Sequence, residues 1–553
     1  MKPHRPPSPA NGPARIFPGE MTPGIANQWT GFQTCVPAPC KKAGERFCPR
    51  LFIRASAFIR HLPLGIRHCP GLLLTALALL TGCSVGPDYH RAAALPAQPM
   101  PTAFTSVDDH QPTNTTLWKV AEPSASLPRG QWWQIFHDPE LARLESLALT
   151  NNQNLVAAAA RMAEAREAAA AARSEYFPQV SAGGTPNGDF TRQRTSVNEP
   201  QNGNPAGAAH TYDTFTAPLY LGWEADLWGR VRRLSESARA QAAASADDLE
   251  SARLALTAEV ASDYFSALTL TADYALVTNT IETYRRSLAL TQNRRRGGVV
   301  SDLDVAQAAT QLHSAEAQLP DIQLRRAQTL HALAILCGQS PIGFSASLES
   351  ADSAPATVPA IPPGLPAALL EHRPDVAAAE RRMAAANAQI GVAKAAFYPA
   401  IKLNGVAGFQ SLSASSWFDW PSRFWSVGPN VELPLFTGGL NRANLARARA
   451  AYDETLANYR LTVLTAFGEV EDSLAAQQWL AEEWSAENAA VAAARQALAI
   501  ANNRYRAGLV TYLDVATAQT QALSEERSAV ELQGARQTAC INLIKALGSV
   551  WPE

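Results

Sequence analysis

The chain has 553 residues, 47% of them hydrophobic, and 47 Lys and Arg nearly cancel 49 Asp and Glu to leave a net charge of −2. That balance leaves no basic face for a nucleic-acid partner, and 7 cysteines in this length exclude a dense disulfide scaffold. The length calls for more than one unit.

Residues 1–70 are rich in Pro, Arg and Cys without periodicity and read as an over-extended start. The apolar run Gly71–Leu80 behind Arg60 and Arg67 has about ten residues, against the ~20 of a spanning helix. It closes on Leu80-Thr81-Gly82-Cys83, as a bacterial lipoprotein signal does. Cleavage would make Cys83 the N-terminus, lipidated on thiol and amine, and Ser84 in place of Asp suits sorting to the outer membrane. Cys35, Cys40, Cys48 and Cys69 fall in the discarded part. An internal repeat separates Cys337 from Cys540 by about 10 Å along a helix, too far for a disulfide. The expected divisions are 1–82 (signal region), 83–138 (lipidated arm), 139–340 (first repeat), 341–366 (linker) and 367–553 (second repeat).

The body of the chain is written twice. Asn293-Arg294-Arg295-Arg296-Gly297-Gly298-Val299-Val300-Ser301-Asp302-Leu303-Asp304 returns, 210 residues on, as Asn503-Arg504-Tyr505-Arg506-Ala507-Gly508-Leu509-Val510-Thr511-Tyr512-Leu513-Asp514. Tyr176-Phe177-Pro178 reappears as Phe397-Tyr398-Pro399, and Leu336-Cys337-Gly338 as Ala546-Leu547-Gly548. Such a long period is a tandem duplication rather than a solenoid. Each copy reads helix, strand, loop, strand, very long helix, tight turn, helix.

In the first copy an Ala-rich helix is predicted over Pro139–Tyr176, then a strand near Gln179–Phe190, a polar loop over Asp189–His210 and a strand over Thr214–Leu227. In that last strand Phe215, Leu219, Leu221 and Trp223 alternate with Thr214, Thr216, Tyr220 and Glu224, giving one apolar and one largely polar face. The second copy alternates likewise over Ile401–Gln410 and Trp425–Phe436. A soluble sandwich would bury the apolar face, whereas a membrane barrel would turn it to lipid with aromatics at the rims. Trp223, Trp228, Trp417, Trp420, Trp425 and Phe436 near strand ends suit the barrel. About four strands cannot close a barrel that needs ~8 or more, so several copies would have to share it.

No Gly or Pro interrupts Arg230–Asn293, which as one helix measures roughly 95 Å. Ala267, Leu270, Tyr274, Val277, Ile281, Tyr284 and Leu288 step by 3 and 4, a coiled-coil seam; Tyr452, Leu456, Tyr459, Val463, Ala466 and Val470 repeat the rhythm.

Taken together, the chain resembles the TolC-like outer-membrane factor family, in its lipoprotein branch that serves resistance–nodulation–division (RND) efflux pumps. The residues carrying the resemblance are Cys83-Ser84-Val85-Gly86-Pro87-Asp88-Tyr89, Trp132-Trp133 with Phe136-His137-Asp138-Pro139, Trp223-Glu224-Ala225-Asp226-Leu227-Trp228-Gly229-Arg230, Arg373-Pro374-Asp375-Val376 and Leu435-Phe436-Thr437-Gly438-Gly439. The resemblance covers residues 83–553. It implies a mainly α fold with a membrane β-barrel: a homotrimer, four strands per protomer in a 12-stranded barrel, and a coiled-coil helical tunnel in the periplasm. It implies a periplasmic membrane-fusion adaptor and an inner-membrane RND pump as partners, outer-membrane lipid around the barrel, and no cofactor beyond the N-terminal lipid (palmitate included) on Cys83.

The functional tip is then the turn between helices in each copy, Arg294–Asp304 and Arg504–Asp514. Gly297, Gly298 and Gly508 supply the backbone freedom of a tight reversal. With Val299, Ser301, Leu509 and Thr511 they are the expected adaptor-docking residues. Tyr505 and Arg506 match the pair with which family members latch the closed tip. Asp304 and Asp514 fall at helix starts, where a carboxylate caps the helix; the resemblance allows Asp514 a second reading, a ring of carboxylates narrowing the pore. Several members carry an acid where this chain has Thr517, which changes the charge of that constriction.

No nucleophile elbow, phosphate loop or His/Cys ligand cluster occurs, and the chain is expected to be no enzyme. Two alternatives stay open: an outer-membrane channel of type I protein secretion, and a non-porous periplasmic coiled-coil lipoprotein scaffold.

Overall fold

The computed structural model describes residues 85–94, 130–183, 191–198, 209–348, 358–359 and 372–548. Cys83, the signal region, most of the Pro-rich arm and much of the linker lie outside them. The first half runs α1 (Pro139–Asn151), α2 (Gln153–Ser174), β1 (Gln179–Ala182), β2 (Thr191–Asn198), β3 (Ala209–Ala225), α3 (Arg230–Arg296), α4 (Asp302–Glu316) and α5 (Gln318–Leu336). The second runs α6 (Pro374–Ala395), β4 (Ala400–Ser411), β5 (Arg423–Glu432), α7 (Leu440–Arg506) and α8 (Tyr512–Ala546). The duplication is visible in the bounds. Helices α3 and α7 both have 67 residues and start and stop 210 residues apart, each about 100 Å long. Helices α2 and α6 both have 22 residues.

Two helix breaks depart from the sequence expectation. The predicted helix over Pro139–Tyr176 divides at Asn152. Its buried carboxamide accepts the Leu155 N–H at 3.0 Å and donates to the Leu336 carbonyl at 2.9 Å, so it caps α2 and ties it to α5. The returning helix of the first copy breaks at Ala317, before Pro320 in the first turn of α5, whereas α8 carries Val530 there and is continuous. Proline lacks the N–H the preceding turn would need.

The strands form one antiparallel sheet in which β3 pairs with both β1 and β2 along one side, then with β4, which pairs with β5. The expected loop over Asp189–His210 is thus partly strand: Thr191–Asn198 pairs with Ala209–Thr216, because the backbone ladder needs no apolar side chains and Thr favours it. The last strand stops at Glu432, two residues before Pro434, which cannot donate to a ladder.

The register decides what the sheet is for. It aligns Val180, Leu221, Gly405 and Val427 across the sheet, and Ala182, Leu219, Ala407 and Trp425 beside them. Trp223, Leu403 and Pro429 form another rung, and Ala225, Ile401 and Val431 a fourth. The intervening rungs hold Ser181, Tyr220, Val406 and Ser426, or Glu224, Lys402 and Asn430. All the apolar rungs share one face, and that face is bare: Leu219 is 50% exposed, Val431 61% and Trp425 74%. Neither a sandwich partner nor a helix covers it among the described residues. The sheet is four strands wide, too narrow to close on itself.

The predicted seams are buried at their centres and half-buried at Leu270, Tyr274, Leu288, Tyr452 and Leu456. Val277, Ile281 and Tyr284 pack with Leu312 and Ile322; Tyr459, Val463, Ala466 and Val470 join the main core with Leu141, Leu144, Phe265 and Ile541. Deep in the helical layer Arg527 of α8 holds Asp273 of α3 through two 2.8 Å bonds. Cys337 and Cys540 are both buried and free.

Candidate functional site

Some 100 Å of helix separates the sheet from the turns α3–α4 and α7–α8, and at these turns the predicted site residues gather. Each long helix ends by the same device. The Val299 N–H reaches the Arg294 carbonyl and the Leu509 N–H the Arg504 carbonyl, both at 2.9 Å. Gly298 (φ 73°) and Gly508 (φ 74°) take the left-handed conformation that lets the chain turn back. Ser301 and Thr511 then cap α4 and α8 in matching capping boxes: Asp304 accepts from the Ser301 N–H (2.9 Å) and hydroxyl (2.8 Å), and Asp514 from the Thr511 N–H (3.1 Å) and hydroxyl (2.9 Å). Both aspartates are thus the third-position partners of capping boxes.

The two turns are joined by a contact that sequence reasoning missed. The Arg294 guanidinium donates to the Tyr505 carbonyl at 2.6 Å and lies 4.7 Å from the centre of the Tyr505 ring. Tyr505 is 4% exposed and packs edge-on against Tyr512, ring centres 5.6 Å apart, with Ala308, Val515 and Ala516 around them. Its hydroxyl reaches Thr291 at 3.4 Å. The Tyr512 hydroxyl meets the Gln519 side chain at 3.2 Å, and Gln519 donates on to Ser287 at 3.3 Å. Burial, with the neighbouring Tyr505 second, pushes the Tyr512 phenol up to about 12. The spacing of 210 residues between like positions was the available signal, since it sets Arg294 and Tyr505 at equivalent ends of long helices.

The remaining predicted residues are on the surface. Gly297, Gly298, Val299, Ser301, Gly508, Leu509 and Thr511 are all exposed, Val299 at 63% and Leu509 at 70%. Leu303 and Leu513 stand bare one turn further on, an apolar pair at repeat-equivalent positions that the sequence reading passed over. Arg506 and Arg504 are exposed and form no ion pair among the described residues. Thr517 is exposed, its hydroxyl returned to the Leu513 carbonyl at 2.9 Å.

This arrangement holds two hairpins together through Arg294, Tyr505 and Tyr512. The outer membrane efflux protein family matches residues 144–339 and again 365–549. The chain belongs to that family. The outer membrane protein OprJ of Pseudomonas aeruginosa is 35% identical over 482 residues, covering 87% of this chain and 95% of OprJ. The solvent efflux pump outer membrane protein SrpC of Pseudomonas putida is 35% identical over 483 residues, or 87% of this chain and 98% of SrpC. In structure, the outer-membrane channel OprN superposes with a TM-score of 0.73 at 30% identity, over 85% of this chain and 100% of OprN. The efflux protein thus has a TolC-like channel fold, sits in the outer membrane and transports rather than catalyses, as the sequence implied.

Proposed function

We propose that this efflux protein is the exit duct of a tripartite RND-type system and works as a homotrimer. Three copies of the four-strand-wide sheet give a barrel of ~12 strands, enough to close. The carrying observation is the sheet register: one bare apolar face, one polar face, and two edges without a partner among the described residues, which suit lipid on one side and a lumen on the other. An open edge has no place in a bilayer, where every backbone group must be paired. The helices then line a periplasmic tunnel. The exposed apolar residues Val299, Leu303, Leu509 and Leu513 form the surface on which a periplasmic adaptor docks, bringing substrate from an inner-membrane pump. The gate is the Tyr505–Tyr512–Arg294 knot together with Arg506, Asp514 and Asp304.

Lipidation of Cys83 fits the placement of the residues just after it. The Val85 N–H bonds the Trp228 carbonyl at 3.0 Å, Asp88 pairs with Arg233 at 2.6 Å, and Tyr89 reaches Glu380 at 3.3 Å. Gly86 lies so close to Gly391 that a Cβ would come within 2.6 Å of its Cα. The arm is therefore fastened at the junction of sheet and helix, and two residues of chain span at most ~7 Å. A lipid on Cys83 would start beside the bilayer edge.

Planar-bilayer conductance with native mass spectrometry tests the reading. A conducting trimer is expected; a non-conducting species identifies a scaffold instead. Deleting the gene should sensitise cells to small toxic compounds, relatives being named for solvent, toluene and antibiotic efflux. Loss of protein secretion with no sensitisation would point to type I secretion. The Cys83→Ala protein should lose its lipid mass and keep its pores.

A further inference from the structure

We propose that the junction of sheet and helices carries a basic collar that binds the anionic headgroups of phospholipids in the periplasmic leaflet. Four helix ends meet at this level. The Arg230–Glu175 pair at 3.0 Å joins the start of α3 to the end of α2. The Trp228 indole donates to the Pro399 carbonyl at 2.8 Å, and Asn441 to the Ala396 carbonyl at 2.9 Å, bringing in α6 and α7. Both repeats place cations at the same points. Arg173 and Lys394 close the last turns of α2 and α6. Arg232 and Arg239 open α3 as Arg442 and Arg449 open α7, each pair seven residues apart and so on one helix face. All six are exposed.

Around the start of α3 the acids close by are engaged elsewhere, and on α7 the nearest, Asp453 and Glu454, lie one turn further from the sheet than Arg449. Glu175 and Glu224 bind Arg230, Glu236 and Asp88 bind Arg233, and Asp226 accepts the first N–H groups of α3. Arg239, Lys394, Arg442 and Arg449 are left without an ion pair among the described residues.

The position commits the collar to lipid rather than to a free anion. It continues the bare apolar face of the sheet, through exposed Phe177, Phe397 and Phe436, in the order a bilayer presents: hydrocarbon, interfacial aromatics, then phosphate. Helical side chains lean toward the helix N-terminus, which for α3 and α7 is the membrane end. Arginines two turns below it can therefore extend back to the headgroup layer. A cation near an anionic surface strengthens binding roughly fivefold, and the effect falls with salt.

Native mass spectrometry of the full-length protein, titrated in detergent with phosphatidylglycerol or with phosphatidylcholine of the same chains, tests this. Wild type should retain phosphatidylglycerol at least about tenfold better, on the scale of two such cations per lipid, and lose the preference in high salt. R239Q/K394Q/R442Q/R449Q should abolish it, while R286Q, near the far end of α3, keeps it. The double variant R442Q/R449Q reads the same effect at half strength if the fourfold one does not fold. A wild type without preference, or a collar variant that keeps it, overturns the proposal. So does a collar variant that leaves lipid binding intact and changes the anion-to-cation permeability ratio, which would place these arginines in the pore.

Discussion

The two turns at the tip have the same backbone and opposite contents. Position for position, Arg295 and Asp302 of the first turn stand where Tyr505 and Tyr512 stand in the second. The first pair is an exposed double hydrogen bond of 2.6 and 2.7 Å; the second is a buried edge-on aromatic contact. Both link the end of a long helix to the start of the returning one. A charged pair holds where water reaches it and an aromatic pair where another hairpin covers it. The duplication therefore preserved the link and changed its medium, and the second turn became the face that meets the first.

The largest break in this comparison is the removal of the buried link. Deleting a buried aromatic side chain costs about 3–5 kcal/mol, so Y505A/Y512A should raise hydrogen exchange of the tip amides by at least about a hundredfold and raise single-channel conductance. The matching double alanine variant at Arg295 and Asp302 should leave conductance unchanged. Equal effects from both would mean that the hairpins share the gate evenly. Next comes the tie between the turns. R294A removes a charge-assisted hydrogen bond worth about 1.5–3 kcal/mol together with the cation–π contact, and local exchange at Tyr505–Gly508 should rise at least about tenfold.

The caps give a smaller effect and separate two roles. Asp304 and Asp514 make the same bonds, so D304A and D514A should each cost about 1 kcal/mol of local stability. Only a carboxylate that also faces the pore changes ion selectivity. D514N is expected to lower the cation preference of the open channel and D304N to leave it alone; identical behaviour would reduce Asp514 to a cap.

Much of this was legible in the residues, and the exceptions share a cause. The seams, the long helices and the alternating faces follow from periodicity, a local property. The 210-residue offset located both turns. What escaped was set by single side chains in tertiary context. Asn152 ends a helix because its carboxamide finds Leu336 far along the chain, and Thr191–Asn198 is a strand because β3 extends to meet it. Arg294 finds the Tyr505 carbonyl only once two hairpins lie together. Asp514 was readable as cap or as pore ring, and the geometry supplies the cap bonds.

The gentlest probe is pH, which should loosen the two links from opposite ends of the scale. Arg295 holds the Asp302 carboxyl below its ordinary range, so that link is complete above about pH 4, the usual Asp value, and fades as acid protonates the carboxylate. Both groups are fully exposed, so whole-protein stability should barely register it. Tyr512 runs the other way. Its phenol is raised to about 12 by burial, so its contribution is intact below pH ~10, the ordinary Tyr value, and is lost as pH climbs from there through about 12. Measured as protection relative to the intrinsic exchange rate at each pH, the first turn should therefore lose protection in acid and the second in alkali. In Y512F, which cannot ionise, the alkaline step at the second turn should disappear while the acid step at the first persists. An alkaline step of undiminished size in Y512F would assign it to Tyr284, likewise raised to about 12 by burial, and would move the pH-sensitive contact off the turn and into the helix seam.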